Sequence, residues 1–166
     1  MTFLTTILDS SFNKDEFTCG KSVLDDYLHR QASQDSKRKL CVVFVLPEDK
    51  TIKGFYTLSN DSISRELVPE EIVNKMPNSY KNLPTTLLGR LAIDKRFTKL
   101  GLGELLLLDA LKRSYFISKS SLGSMAVVVD PLDEDAVTFY ARYGFVKLPD
   151  SGRMFLTMKK ISNLFE

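Results

Sequence analysis

Between Thr85 and Ser114 the chain passes from an apolar strand pattern, through a turn with two glycines, into a leucine-rich helical pattern. Thr85 to Ile93 reads as a strand, Gly101-Leu102-Gly103 as the turn, and Gly103 to about Ile117 as the helix. Glycine tolerates positive φ and lets backbone approach another group closely. The first turn of a helix leaves N–H groups without internal partners, and its dipole favours negative charge. The junction is therefore a candidate anion cradle, with phosphate as the leading ligand. The alternative is a strand-to-helix turn that holds nothing.

Two well-known phosphate motifs do not fit. A P-loop requires Lys-Ser or Lys-Thr after its last glycine, and Gly103 is followed by Glu104 and Leu105. A dinucleotide fingerprint requires Gly or Ala at its end, where this chain has Leu106.

The rest of the chain supplies further strands and helices. Phe3 to Leu8 is a candidate first strand, and Ser22 a candidate cap for a helix carrying Val23, Leu24, Tyr27, Leu28, Gln31 and Ala32 on helical spacing. Lys37-Arg38-Lys39 opens a strand through Leu40 to Val45, which pairs as a hairpin with Lys53 to Leu58. Glu66 to Pro84 is irregular, with a short helix near Glu70 to Lys75. Met125 to Val129 is wholly apolar, which predicts a central strand. Asp133, Glu134 and Asp135 suit a helix N-terminus, Val137, Tyr140 and Ala141 continue that helix, and Gly144 suits its end. Phe145 to Leu148 and Phe155 to Lys160 read as a closing strand pair. Helices and strands mixed along one sheet predict an α/β or α+β class, with residues 1–166 as one domain.

Composition narrows the function classes. The 166 residues are 43% hydrophobic and 27% charged, ordinary globular values, with a net charge of +2 that admits a nucleic-acid partner without requiring one. No apolar run approaches the roughly 20 residues of a membrane span, and the N-terminus lacks a leader pattern, so the expected location is the cytoplasm without a membrane partner. Cys19 and Cys41 form no close-spaced pair, and no metal site is expected.

The order LLGRLAID, glycine turn, leucine-rich helix, MAVVVD and FYARYGF resembles the GCN5-related N-acetyltransferase (GNAT) family, whose sheet splays to admit acetyl-CoA. The family's Gln/Arg-x-x-Gly-x-Gly/Ala loop corresponds to Thr98, Lys99, Leu100, Gly101, Leu102 and Gly103, with Thr98 departing from the usual first residue. The resemblance implies that this loop and Glu104 hold the pyrophosphate, and that Leu91, Ala92 and Ile93 meet the pantetheine arm and acetyl group. It also places Asp133 where the family often has a cofactor-binding asparagine, and Tyr140 as general acid. FTCGKSVLDDYLHRQASQ and GFYTLSNDSI extend the likeness to the toxin-type acetyltransferases of bacterial toxin–antitoxin pairs. That likeness implies aminoacyl-tRNA as acceptor and a small DNA-binding antitoxin as partner. A small-molecule or protein amine as acceptor, a non-catalytic CoA-binding module, and a homodimer all remain open.

The residues themselves bear on this chemistry. A phenol with an ordinary pKa near 10 is protonated at neutral pH and can donate a proton. No carboxylate stands out as a general base, which suits an α-amine, with a pKa near 8, better than a lysine side chain. Arg90 is a candidate contact to cofactor or substrate, or a plain salt-bridged surface residue. His29 is expected to be packed or solvated, and a Cys41–His29 nucleophile is disfavoured because Cys41 lies in a core-strand pattern. Lys37, Arg38, Lys39, Lys112, Arg113 and Lys119 could line a path for phosphate backbone, or simply be solvated.

Overall fold

The computed structural model describes residues 2–149 and 151–166. The chain packs into two compact units, one taking in residues up to Ser59 with Leu88–Arg113, the other Asn60–Leu87 with Ser114–Glu166. The hydrogen-bonded strand order is β1-β2-β3-β4-β5-β7-β6, with β3 (Thr51–Ser64) and β4 (Asn82–Ile93) passing through both units. The class is the expected mixed α/β.

In the first unit, β1 (Thr6–Ile7) and β2 (Val42–Glu48) pair antiparallel, and β2 pairs antiparallel with β3. The register slips between Leu46 and Pro47, where proline has no N–H for the ladder. Phe17, Leu28, Val43, Val45, Ile52 and Phe55 form a buried cluster, with the Phe17 and Phe55 rings edge to face at 5.4 Å. Gly54 is required by close approach. A Cβ there would lie 2.6 Å from Ile93 Cδ1 and 2.9 Å from the Ala92 carbonyl oxygen.

The helical stretch after the first turn is broken by a π turn. It runs as α1 (Ser22–Asp26), the π turn Tyr27–Gln31 and α2 (Ala32–Lys37), with the Ala32 N–H donating to the Tyr27 carbonyl. Tyr27, Leu28, Ala32 and Asp35 are buried while Gln31 and Val23 are exposed. A regular helix would turn Gln31 inward, four residues after Tyr27. The extra residue of the π turn puts Ala32 there instead. Ser22 is not the cap expected of it. It is the first helical residue, and the Asp25 carboxylate instead accepts from the Cys19 N–H at 2.7 Å and the Thr18 hydroxyl at 2.9 Å. Nor does Lys37 open a strand, because it ends α2, and Lys39 takes a left-handed φ of 63° before β2 begins at Val42.

In the second unit, β5 (Ala126–Val129) pairs antiparallel with β7 (Met154–Thr157), which pairs antiparallel with β6 (Val146–Lys147). All four β5 residues are buried, as the continuous apolar run predicts for an interior strand. The connection from β3 to β4 contains α3 (Glu70–Val73) and is gathered by one side chain. The Arg65 guanidinium donates to the carbonyls of Val73, Met76, Pro77 and Tyr80. The closing strand pair ends earlier than expected, for β7 stops at Thr157 and the chain turns into α6 (Met158–Phe165). The Thr157 hydroxyl accepts from the Lys160 N–H at 3.3 Å, an N-cap that opens the helix. Met158 and Ile161 are its buried face.

Candidate functional site

The glycine turn lies between β4 and the 19-residue helix α4 (Leu102–Ser120). Lys99 and Gly101 both take left-handed backbone, with φ of 64° and 74°. Gly103 does not. It sits inside the first helical turn, so one glycine serves the turn and the other the helix start. The Gly101 carbonyl accepts the first helical bond, from the Leu105 N–H at 3.3 Å. Glycine in that position brings no side chain to cap the helix, and the N–H groups of Leu102, Gly103 and Glu104 have no acceptor within it. Nothing lies within 4 Å of where a Gly101 Cβ would stand. Open space over a helix N-terminus fits the pyrophosphate of acetyl-CoA. Thr98, Lys99 and Leu100 are exposed beside it, and the Thr98 hydroxyl donates to the Lys95 carbonyl at 3.1 Å.

Leu91, Ala92 and Ile93 end β4 in the same unit. The Ala92 carbonyl lies against Gly54 of β3, and the Asp94 N–H donates to the Lys53 carbonyl at 2.8 Å. Strand alternation therefore turns the backbone N–H and C=O groups of Leu91 and Ile93 toward the edge away from β3.

Arg90, one residue earlier, makes no salt bridge among the described residues. Its guanidinium carbon lies 3.6 Å from the centroid of the Tyr27 ring, a close cation–π contact. With Val23, Asp26, Tyr27, Arg30 and Gln31 it lines a cavity of about 280 Å³. Burial raises the Tyr27 phenol, and its bonds to the Cys41 thiol at 3.3 Å and the Asp35 carboxylate at 2.9 Å raise it further, while Arg90 opposes them. Cys41 is thus paired with a tyrosine, and His29 Nε2 is spent on the Phe17 carbonyl at 2.6 Å. Neither serves the other as nucleophile or base. Cys19 is a poorer nucleophile still, since burial pushes its thiol up to about 11.

Tyr140 lies in α5 (Glu134–Arg142) of the second unit, only 7% exposed. Its ring meets those of Phe139 and Phe145, each at 5.3 Å. Burial alone raises the phenol above its ordinary value, and its hydroxyl has no hydrogen-bond partner among the described residues. A buried, protonated phenol with an uncommitted O–H is a competent proton donor. Tyr143 packs against Phe139 at 5.2 Å. Asp133 is exposed and caps α5, accepting from the Ala136 N–H at 2.9 Å. The carboxylate does there what the usual asparagine would also do as a cap.

Of the six basic residues that might track phosphate backbone, three are engaged. Arg113 lies between the Phe3 and Phe44 rings and donates to the Thr5 carbonyl at 2.8 Å. Lys112 donates to the Thr2 carbonyl at 2.9 Å, and Lys119 pairs with Glu166. Lys37, Arg38 and Lys39 are exposed at the end of α2. Sequence reasoning missed Tyr27, whose only signal was helical spacing, and Asp94, the buried residue that follows Ile93. No group of three or more metal-ligating side chains occurs among the described residues.

No family model matches the chain. A tRNA-acetylating toxin of Mycobacterium tuberculosis is 33% identical to it over 144 residues, covering 86% of this chain and 84% of that one. The chain belongs to the family of tRNA-acetylating toxins. Solved structures of GNAT toxins share its fold along nearly the whole length. AtaT complexed with acetyl-methionyl-tRNAfMet superposes with a TM-score of 0.89 at 28% identity, covering 99% of this chain and 100% of that one. A tyrosine-to-phenylalanine mutant of AtaT, bound to acetyl-CoA and the C-terminus of the antitoxin AtaR, gives 0.81 at 26% identity, covering 97% and 96%. No helix among the described residues of this tRNA-acetylating toxin is long and apolar enough to cross a membrane.

Proposed function

We propose that this tRNA-acetylating toxin moves the acetyl group of acetyl-CoA onto the α-amino group of an aminoacyl-tRNA and so arrests translation. The family match over most of both chains carries this reading. The likeness to AtaT in complex with its acetylated tRNA supports it. Residues 1–166 serve one acetyltransferase domain, and the enzyme works in the cytoplasm, where its substrates are. An antitoxin holds it in check, as AtaR binds AtaT.

The turn from Thr98 to Glu104 holds the pyrophosphate, with the N–H groups of Leu102, Gly103 and Glu104 as donors and Gly101 keeping the approach clear. Leu91, Ala92 and Ile93 bind the pantetheine arm, and Asp133 lies along the cofactor. The neutral α-amine attacks the thioester carbonyl directly in a ternary complex, without an acyl-enzyme. A strand N–H, of Leu91 or Ile93, stabilises the oxyanion as a fixed dipole. As the C–S bond breaks, the Tyr140 O–H gives its proton to the thiolate; the surplus amine proton leaves to water, and a proton from water restores the phenol. An α-amine with a pKa near 8 is partly neutral already, so the reaction does not depend on a strong dedicated base.

Release of free thiol from acetyl-CoA tests the reaction. It should require charged tRNA and stop when the tRNA is deacylated beforehand. Thiol release with a polyamine or peptide and none with any charged tRNA would move the acceptor elsewhere.

A further inference from the structure

The cavity beside Arg90 holds two guanidinium groups and, among the described residues that line it, a single carboxylate, Asp26. Neither Arg30 nor Arg90 makes an ion pair or hydrogen bond to another side chain among the described residues. Arg90 is instead held against the Tyr27 ring, a contact that uses none of its N–H donors as hydrogen bonds to a side chain. The π turn contributes the second arginine. By turning Ala32 inward it leaves Arg30 and Gln31 exposed at the cavity. π turns within helices recur at functional sites, where they re-aim side chains. Asp26 is the one carboxylate among the described residues that line the cavity, exposed on the helix, so that lining carries a net positive charge. At about 280 Å³ the space suits a small charged group and its flanks better than a large ligand.

We propose that Arg30 and Arg90 clamp a backbone phosphodiester of the single-stranded acceptor end of the charged tRNA, with Gln31 as an additional donor. The proposal rests on the aminoacyl-tRNA reading. Arg90 immediately precedes Leu91, so a phosphate held there lies one residue along the strand from the segment assigned to the acetyl group. Two forked donors, one of them supported by the Tyr27 ring, match the geometry of a phosphate oxygen pair. The cavity would therefore read the acceptor's backbone and leave the reacting amine to be placed by its own ester linkage.

Steady-state acetylation by Arg30→Gln, Arg90→Gln and Arg90→Lys tests this against two substrates, charged tRNA and an aminoacyl-nucleoside with the same α-amine but no phosphate. For each glutamine variant KM for charged tRNA should rise by about tenfold or more, with kcat little changed. KM for the nucleoside should stay as in the wild type. The slope of log KM against log salt should fall by about 0.7 for each phosphate no longer neutralised. Arg90→Lys should recover part of the affinity, since it keeps the charge without the fork. Unchanged KM for charged tRNA, or equal losses on both substrates, would overturn the clamp. Binding of a fluorescent single-stranded oligonucleotide ending in the tRNA acceptor sequence separates this from the reaction itself. If the wild type bound it, the arginine variants did not, and no charged tRNA were acetylated, the clamp would stand and the acceptor reading would fall.

Discussion

Asp94 and Arg96 form a forked ion pair two residues apart, Nε to Oδ1 and Nη2 to Oδ2, both at 3.0 Å, with the carboxylate fully buried. The same carboxylate accepts from the backbone N–H of Arg96 at 2.8 Å and of Thr18 at 3.2 Å. The Lys95 N–H then donates to the Thr18 carbonyl at 2.8 Å. One side chain thus ties the end of β4, the entry to the glycine turn and the segment leading into α1. It is a positioning residue for both the glycine turn and the helix that lines the arginine cavity.

Asp94→Asn should cost about 1–2 kcal/mol at pH 7, the low end for charged hydrogen bonds because Arg96 is half exposed. Burial pushes the Asp94 carboxyl up, but the bonds from Arg96 and Thr18 outweigh it and hold it below its ordinary value. A depressed folded value adds stability that is complete above the ordinary carboxylate range, near 3.9, and is lost as pH falls below it. Urea denaturation at pH 7 and at pH 3 should therefore show a smaller difference for the variant than for the wild type. Equal differences would mean that Asp94 carries no such linkage.

Tyr140→Phe keeps the packed ring and removes the O–H proposed as general acid. Turnover should fall by roughly 10²–10⁴, the usual range for general acid catalysis, while acetyl-CoA still binds. Because burial raises the phenol, its ionisation should not limit activity below about pH 10. A variant with wild-type turnover, measured with chemistry rate-limiting, would make Tyr140 a packing residue.

Gly103→Val places a branched side chain in the first turn of α4, where the proposed site puts the pyrophosphate. Valine is no worse than glycine as a helix residue, so folding should be preserved. Calorimetry should show weaker acetyl-CoA binding, and unchanged affinity would move the cofactor away from this turn.

Thr85 is 3% exposed, and its hydroxyl is buried without a hydrogen-bond partner among the described residues. Thr85→Val removes that hydroxyl at nearly constant shape and should stabilise the fold by about 1 kcal/mol. Chemical denaturation reads this directly, and a loss of stability would point to an unseen partner for the hydroxyl.

Much of this was legible in the residue order, and what escaped has physical causes. A strand buried on both faces announces itself, as Val127, Val128 and Val129 do. The glycine turn was equally plain, although the left-handed φ of Lys99 was not, because lysine gives no local sign of it. Helix α6 was hidden because Leu156 to Lys159 alternates apolar and polar like a strand, and only the Thr157 cap and the packing of Met158 and Ile161 decide otherwise. The π turn could not be read from spacing, since it is the burial of Ala32 rather than Gln31 that reveals it. Arg90 and Tyr27 are 63 positions apart in the chain, and a cation–π contact of that kind has no periodic signature.

The most direct test of the account is transfer of labelled acetyl from acetyl-CoA to a pool of all charged tRNAs, with deacylated tRNA and free amino acids alongside. Phosphate contacts should give the charged tRNA its advantage, so transfer to it should decline as salt rises. After mild hydrolysis the label should be recovered as N-acetyl amino acid, with none on deacylated tRNA and little on free amino acid. Label absent from every charged tRNA, or recovered on the nucleic acid rather than on the α-amine, would contradict the assigned reaction.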